Sequence, residues 1–256
     1  MSWSRRKKAI YILIFAAAAA VIISLFFIDF SKPTCNDGKR NQEEEGIDCG
    51  GPCVTVCRFS AKDLVVRWNR AFEIKKGIYN AVAYINNPNN TFDAENVPYI
   101  FKLYDKDNIL VYERKGRAYI PPQNSFAIFE SSMDTGNRIP QRTTFEFALQ
   151  PGWKRSDNAD VGLKIKNVLL KKSGEEEKSL WLEADIENTN LDSVNDIELV
   201  AILYDKDGNS INSSETLVDF LRSGSERNMT FTWPNMEEAS VLRVEIVPVS
   251  YKIVRD

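Results

Sequence analysis

The sequence contains no histidine among its 256 residues, and this absence removes the side chain that most often acts as a general base near neutral pH. Ser-His-Asp and Cys-His nucleophile systems are therefore excluded, and so are His-ligated zinc and haem sites. No pair of acidic residues stands in a recognisable catalytic string either. We therefore expect no enzyme activity.

A basic excess is also missing, because 33 Lys and Arg stand against 36 Asp and Glu. Residues 1–34 hold five basic residues and one acidic residue, so the rest of the chain carries a net charge of −7 out of the total of −3. Proteins that bind nucleic acids usually present a basic stripe to the phosphates. We therefore expect no nucleic-acid partner.

The longest apolar run covers residues 9–28, where twenty positions carry neither a charge nor a proline. That length suffices to cross about 30 Å of hydrocarbon. A basic cluster at residues 5–8 precedes the run and favours a cytoplasmic N-terminus. We expect a cytoplasmic tail at 1–8, a single-pass signal anchor at 9–28 in the cell membrane, and extracytoplasmic domains after it. A cleaved signal peptide is the alternative, because small residues at 16–20 offer a cleavage site.

All the cysteines lie in a short segment just after this run, which we place at residues 33–58. They are Cys35, Cys49, Cys53 and Cys57. In an oxidising compartment such a cluster predicts two disulfides, and the sequence leaves three pairings open. The segment has almost no apolar residues, so crosslinks would supply its order. A four-cysteine zinc site is the alternative, although the intervals of thirteen, three and three residues differ from the paired C-x2-C knuckles of zinc ribbons.

The same segment is rich in side-chain oxygen atoms and in glycines. Its candidate calcium ligands are Asn36, Asp37, Asn41, Glu43, Glu45 and Asp48. Hard oxygen ligands are what calcium prefers, so calcium is one hypothesis for a cofactor. The other interpretation is a solvated acidic loop between two crosslinks, with no cofactor.

The run from Cys35 to Cys53 has the pattern Cys-x-Asp-Gly-x-x-Asn-x-x-Glu-x-x-x-Asp-Cys-Gly-Gly-x-Cys. It resembles a short cysteine-rich module of many predicted prokaryotic surface proteins. The resemblance implies a surface-exposed disulfide module and identifies no ligand.

The remaining chain repeats itself. Residues 100–108 recur as 200–208 with a shared Leu-Tyr-Asp-Lys-Asp, and residues 83–89 recur as 184–190. Two long copies predict a tandem pair of complete domains, since a solenoid would need shorter and more numerous repeats. We place these domains at 60–155 and 158–256.

Apolar and polar residues alternate within each copy. From Leu180 to Ile186 the even-numbered residues are apolar, and a second alternating set runs from Ile197 to Leu203. This period of two predicts half-buried strands, and clusters of Asn, Asp and Gly punctuate them as turns. The sequence therefore predicts an all-β fold class: two tandem immunoglobulin-like β-sandwich domains behind one N-terminal transmembrane helix.

The string from Phe101 to Asp105 resembles the motif of the FxLYD family, and the second copy has Ala201 in place of the phenylalanine. The matching residues are Phe101, Leu103, Tyr104 and Asp105, followed by Leu203, Tyr204 and Asp205. The resemblance implies a bacterial or archaeal extracytoplasmic β-sandwich, often beside a membrane anchor, in a family whose function is largely undefined.

Two groups of residues are candidates for a site. The acidic pairs Asp105/Asp107 and Asp205/Asp207 suggest paired carboxylates, but their spacing favours hairpin turns. Trp181 lies on the outward face by the alternation, where it would bind a partner or a sugar, or else would cover the sheet or pack against the other domain. The other tryptophans expected in the cores are Trp68, Trp153 and Trp233.

These observations favour a structural or interaction function. We expect a membrane-anchored accessory subunit of a surface assembly, with a protein partner at the cell surface. The alternative is a binding module for a cell-surface glycan or cell-wall polymer, based on Trp181. An envelope hydrolase that uses two carboxylates is a third hypothesis without a catalytic set to support it.

Overall fold

The computed structural model describes residues 3–27, 35–122, 125–156, 162–172, 179–234, 236 and 241–254. One α-helix, α1, covers Trp3–Phe27. The part of the chain that the structure describes holds no helix that is both long and apolar enough to cross a membrane. The membrane span at 9–28 therefore remains a prediction, and its last residue lies outside the described residues.

The first repeat forms two antiparallel sheets. Its strands are β1 (Val65–Lys75), β2 (Ile78–Asn86), β3 (Phe92–Tyr104), β4 (Leu110–Ile120), β5 (Ser125–Asp134), β6 (Arg142–Phe147) and the short β7 (Lys154–Arg155), after a 3-10 helix at Arg58–Ser60. One sheet has the order β1-β2-β5 and the other β4-β3-β6, and β7 pairs with the start of β3.

The second repeat has the same arrangement. Its strands are β8 (Leu163–Lys172), β9 (Ser179–Asn188), β10 (Ser193–Tyr204), β11 (Ser210–Leu221), β12 (Glu226–Pro234) and β13 (Arg243–Val254). The sheets are β8-β9-β12, which corresponds to β1-β2-β5, and β11-β10-β13, which corresponds to β4-β3-β6. The all-β prediction is confirmed, and both copies have the form expected of a β-sandwich.

Each repeat encloses its own apolar core. Successive side chains of a strand point to opposite faces of its sheet, so the even-numbered residues from Leu180 to Ile186 of β9 all enter the second core. Trp153 is buried in the first core and Trp233 in the second, as predicted.

A buried asparagine closes the same corner in both repeats. The side-chain amides of Asn87 and Asn188 are each 0% exposed. Asn87 Nδ2 donates to the carbonyl of Pro121 at 2.8 Å, and Asn188 Nδ2 donates to the carbonyl of Leu221 at 3.1 Å. Each amide oxygen accepts the backbone N–H two residues further along the chain. In each repeat the asparagine therefore supplies hydrogen-bond partners to backbone groups that strand pairing leaves without one.

A third apolar cluster joins the two repeats. It consists of Phe72, Val82, Ala127, Val200, Ile202, Tyr204 and Val247, with Trp68, Tyr84, Phe129 and Val249 packed around them. These residues lie on the outer faces of β1-β2-β5 and β11-β10-β13. The prediction that Trp68 belongs to a domain core is therefore wrong: its indole stacks on Tyr84 in this interface, with ring centroids 5.6 Å apart.

The four sheets consequently form a stack in the order β4-β3-β6, β1-β2-β5, β11-β10-β13, β8-β9-β12. Polar contacts across the middle of the stack supplement the apolar cluster. The hydroxyl of Tyr84 donates to Glu245 Oε1 at 2.6 Å, and Arg70 donates to the backbone carbonyl of Ser210.

The cysteine segment packs against the first repeat through residues 54–56. The backbone N–H of Val56 donates to the carbonyl of Trp153 at 3.0 Å, and Thr55 pairs with Lys154 in an antiparallel bridge. Since Lys154 belongs to β7, which pairs with β3, the segment extends the layer that contains β3. The side chain of Val56 is part of the first core.

Candidate functional site

Two disulfides crosslink the cysteine segment. Cys35 is bonded to Cys53 and Cys49 to Cys57, and no free cysteine is found in the described residues. The prediction of two disulfides is confirmed, and the pairing that the sequence left open is now known. Because disulfide sulfurs are not thiolate ligands, the four-cysteine zinc alternative does not hold.

The candidate calcium ligands are only partly brought together. Asp48 accepts the backbone N–H of Asp37 at 2.9 Å, and Asn41 Nδ2 donates to Asp37 Oδ2 at 2.8 Å. Glu45 instead accepts the hydroxyl of Ser60 at 2.8 Å, and Asn36 is exposed. These carboxylates thus accept hydrogen bonds from the protein itself, which favours the acidic-loop interpretation, and the calcium hypothesis remains a prediction.

Glu44 is the central carboxylate of this segment, and the ligand assignment from the sequence omitted it. It is 4% exposed, and its Oε2 accepts the backbone N–H groups of Asn41 and Asp48 at 3.2 and 3.3 Å. Its position as the glutamate of the cysteine-module pattern was the signal that could have identified it. Glu44 also groups with Cys35 and Cys53 in space, but both sulfurs are in a disulfide, so this group offers no thiolate to a metal.

The paired aspartates form matched turns. Asp105 Oδ1 accepts the backbone N–H of Asp107 and of Ile109 at 3.0 Å each. Asp205 Oδ1 accepts the equivalent N–H groups of Asp207 and Asn209 at 2.9 Å each. The bond from the Asn209 backbone is the largest cause that lowers the pKa of Asp205. This geometry supports the turn interpretation.

The other residues of the FxLYD-like string also occupy matched positions. Phe101, Leu103 and Leu203 are buried in the cores. The guanidinium of Arg142 covers the ring of Tyr104 at 4.0 Å, and that of Arg243 covers the ring of Tyr204 at 3.9 Å. The string therefore has a structural role in both repeats.

Trp181 is half-buried on the outer face of β8-β9-β12, the sheet farthest from the first repeat. Its indole Nε1 donates to Glu183 Oε1 at 3.3 Å, and Glu183 forms an ion pair with Lys171. The interdomain alternative for Trp181 is not realised, because the cluster between the repeats uses the opposite sheet. An accessible indole in a field of charged side chains is thus available at one end of the stack.

A cleft of about 640 Å³ lies where the two repeats meet. Its walls come from β3, β4 and β5 of the first repeat and from β10, β11 and β13 of the second. Its lining includes the charged and aromatic residues Asp93, Glu95, Arg117, Tyr119, Phe129, Glu198, Glu215, Tyr251 and Lys252. No sequence pattern indicated this cleft, because its walls come from strands that are far apart in the chain.

Two carboxyl groups of the cleft have raised pKa values. Burial, followed by the charges of Glu198 and Glu130, raises the pKa of Glu215 to about 7. Glu215 is solvent-exposed on β11, so it lies at the open side of the cleft. Burial likewise raises the pKa of Asp93 on the opposite wall.

No protein family model matches the chain, and no curated protein matches it. Among solved structures the chain is similar to a β-glucuronidase from glycoside hydrolase family 2, at 14% identity over 68% of this chain and 24% of that chain, with a TM-score of 0.23. It is also similar to Bacteroides uniformis β-glucuronidase 2, at 12% identity over 70% of this chain and 26% of that chain, with a TM-score of 0.24. The chain thus spans about a quarter of the length of these structures. TM-scores this low establish neither a shared fold nor a shared activity.

Proposed function

We propose that this chain is a membrane-anchored extracytoplasmic interaction protein, an accessory subunit that presents a binding face to a protein partner at the cell surface. The anchor in this proposal is the uncharged run at 9–28, and the basic cluster at 5–8 supports its orientation. The two disulfides between the anchor and the first repeat fit an oxidising compartment. The proposal includes no catalytic step.

The observation that carries the proposal is the unbroken packing from the cysteine segment to the last sheet. Residues 54–56 are hydrogen-bonded to the first repeat, and the apolar cluster around Ile202 and Val82 joins that repeat to the second. Packed sheets lie about 10 Å apart, so four layers place the outer sheets about 30 Å from each other. Such an assembly acts as a spacer between the cysteine segment and the outermost face.

Trp181 lies on that outermost face, in the layer farthest from the one that the cysteine segment extends. Tryptophan is enriched among the residues that dominate binding energy at protein interfaces. The surrounding ion pairs, such as Lys171 with Glu183 and Lys166 with Glu187, supply a polar rim of the kind found around such anchors.

The finer classification is part of the same proposal. We infer that the repeats are immunoglobulin-like domains of the FxLYD type. Support comes from the Leu-Tyr-Asp string in both copies and from the matched turns at Asp105 and Asp205.

The test is purification of the full-length protein from its native membrane in mild detergent, after light crosslinking, with mass spectrometry of the co-purifying proteins. We expect the wild type to co-purify with a stoichiometric partner and Trp181→Ala to lose it. Phe220→Ala, which changes another aromatic residue with an exposed side chain, is the control and should retain the partner. Recovery of all three forms without a partner would contradict the proposal. Extraction of the protein from membranes by alkaline carbonate would separately contradict the anchor.

A second candidate function is binding of a cell-surface glycan or cell-wall polymer by the same face. Hydrogen bonds from Asn167 and Asn228 to Asp185, at 2.8 and 2.9 Å, place amides and a carboxylate on the same face as the indole. Aromatic stacking with a few polar groups is a common way to hold a sugar ring. Pull-down on isolated cell envelopes tests it: Trp181→Ala should abolish binding, whereas unchanged binding would exclude this site.

A further inference from the structure

The cleft between the repeats has the size and position of a ligand site. Small-molecule pockets usually enclose about 300–1,000 Å³ and occur preferentially at domain interfaces, and this cleft encloses about 640 Å³ between two packed domains. It is separate from the Trp181 face, because its walls in the second repeat come from β10, β11 and β13.

Among the acidic residues that line the cleft, Glu215 alone has neither an ion pair nor a hydrogen bond within the described residues, since Asp93 accepts the hydroxyl of Tyr119 at 3.3 Å. Glu95 is paired with Lys154 at 2.9 Å, and Glu198 accepts the hydroxyl of Ser250 at 2.9 Å. Glu215 makes no hydrogen bond or ion pair within the part of the chain that the structure describes.

The two basic residues of the lining do not compensate Glu215. Arg117 donates to the backbone carbonyl of Asn96 at 3.0 Å, and Lys252 is paired with Asp196 at 2.8 Å. Glu215 pairs with Val200 in the β10-β11 ladder, so it is a diagonal neighbour of Glu198 on the same face. After burial, the charges of Glu198 and of Glu130 on β5 raise the pKa of Glu215. A cation that entered the cleft would relieve this like-charge repulsion.

The rest of the lining favours an organic cation over a bare metal ion. Tyr119 of the first repeat and Tyr251 of the second meet edge to face, with centroids 5.8 Å apart, and Phe129 lies on the same wall. Aromatic rings attract ammonium groups through the π face and cover the alkyl chain between them. A hard ion such as calcium gains little from them, since it prefers a shell of oxygen ligands.

We propose that the cleft between the repeats binds a small organic cation of the alkylammonium class, with Glu215 as the counter-charge and the rings of Tyr119, Phe129 and Tyr251 as the apolar walls. This site does not depend on the function proposed for the Trp181 face, because it would bind its ligand whether or not that face has a partner.

The proposal has a defined pH dependence. The cation binds the ionised form of Glu215, so affinity rises as the pH rises through about 7 and a proton is released on binding below that pH. The other charged groups near Glu215 are Glu198 on β10, Glu130 with its partner Arg114 on β4, and Lys252 on β13.

The experiment is calorimetric titration of spermidine into the full-length protein in detergent at pH 8 and physiological salt. We expect saturable binding at one site per chain, with about tenfold loss in Glu215→Gln, because a hydrogen bond to a charged group contributes to affinity on that order. Glu146→Gln, which removes an exposed carboxylate on β6, controls for the acidic surface and should bind as the wild type does. Glu215→Gln is nearly isosteric and removes a repulsion, so we expect it to fold.

Three results would each overturn the proposal. One is the absence of saturable binding by the wild type at millimolar spermidine. Another is an equal loss in Glu215→Gln and Glu146→Gln, which would mean binding to the acidic surface as a whole. The third is calcium binding at the same site as tightly as spermidine, because the aromatic walls would then be irrelevant.

Discussion

The two repeats share a strand order but differ in which of their two sheets has an apolar outer face. In the first repeat it is β1-β2-β5, and in the second it is β11-β10-β13. On β2 of the first repeat the outward residues Val82 and Tyr84 belong to the apolar interface, whereas the equivalent residues of β9 are Glu183 and Asp185, on an exposed face. On β10 the outward Ile202 is 0% exposed, whereas Lys102 at the equivalent position of β3 forms an ion pair with Glu146. The inward-facing side chains of the strands therefore build the core of each domain, and the outward-facing side chains determine which sheets pack together.

This difference also explains why the stack ends after four layers. The two inner faces are apolar and bury each other, while both outer faces carry ion pairs such as Lys102 with Glu146 and Lys171 with Glu183. A charged outer face gives no reason for a further copy to add to either end.

The largest expected effect comes from replacing Ile202 of the second repeat with lysine, the residue that the first repeat has at the equivalent position 102. Ile202→Lys places an unpaired charge in the interface, and we expect a loss of about 3–5 kcal/mol in the free energy of unfolding. Denaturant unfolding should change from one transition to two, because the repeats lose their mutual packing. The reciprocal Lys102→Ile, on an exposed face, should lose less than about 1 kcal/mol. Equal effects of the two changes would mean that the interface adds no stability.

The next effect tests a feature that the repeats share. Asn87→Ala and Asn188→Ala each leave buried backbone groups without a partner, so we expect each to lower the free energy of unfolding by about 2–3 kcal/mol. Urea unfolding monitored by tryptophan fluorescence measures this loss. If one variant lost more than about twice as much as the other, the two corners would not be energetically equivalent.

A smaller effect depends on pH. The folded-state pKa of Glu215, about 7, lies above its ordinary value of 4.5, so the free energy of unfolding falls as the pH rises from about 4.5 to about 7 and stays lower above that range. Glu215→Gln should therefore gain about 1 kcal/mol at pH 8, a value reduced for solvent screening because Glu215 is exposed. Below about pH 4, where this carboxyl group is protonated in both the folded and the unfolded state, wild type and variant should be equally stable. An identical gain at both pH values would show that the charge is not responsible.

The smallest expected effect is the difference in stability loss between variants of the two arginines that cover the matched tyrosines. Arg142→Met should lose about 0.5 kcal/mol, the usual contribution of an exposed cation–π contact. Arg243→Met should lose about 1 kcal/mol, because Arg243 also pairs with Glu245 at 3.0 Å and Glu245 accepts the Tyr84 hydroxyl across the interface. Thermal unfolding of both variants provides the comparison, and a smaller loss for Arg243→Met would contradict this account of the interface.

Alternation and internal repetition were enough to predict the all-β fold, the paired copies and the inward row of β9. They could not predict the interface, because a period of two identifies two faces without showing what covers the outer one. The continuous apolar run from Leu199 to Tyr204 was a signal that both faces of β10 are buried. The assignment of Trp68 to a core was wrong for the same reason.

The site could be predicted less well than the fold. The sequence identified the cysteines but not their pairing, because several pairings satisfy the same spacing. Trp181 was placed on the correct face by alternation alone. The cleft around Glu215 combines strands from both repeats, so no local pattern could have indicated it.

The most direct test of the central claim, that the two repeats form one packed unit, is the distance between the outer sheets. Spin labels at Glu146 on β6 and Glu226 on β12 report it by electron–electron double resonance, with the disulfide-bonded cysteines left unlabelled. If the repeats form one packed unit, the distribution is single and narrow, at about 30 Å or more because three sheet spacings of about 10 Å each separate the labelled faces, and it becomes broad in Ile202→Lys. A broad distribution in the otherwise unmodified chain would contradict this claim.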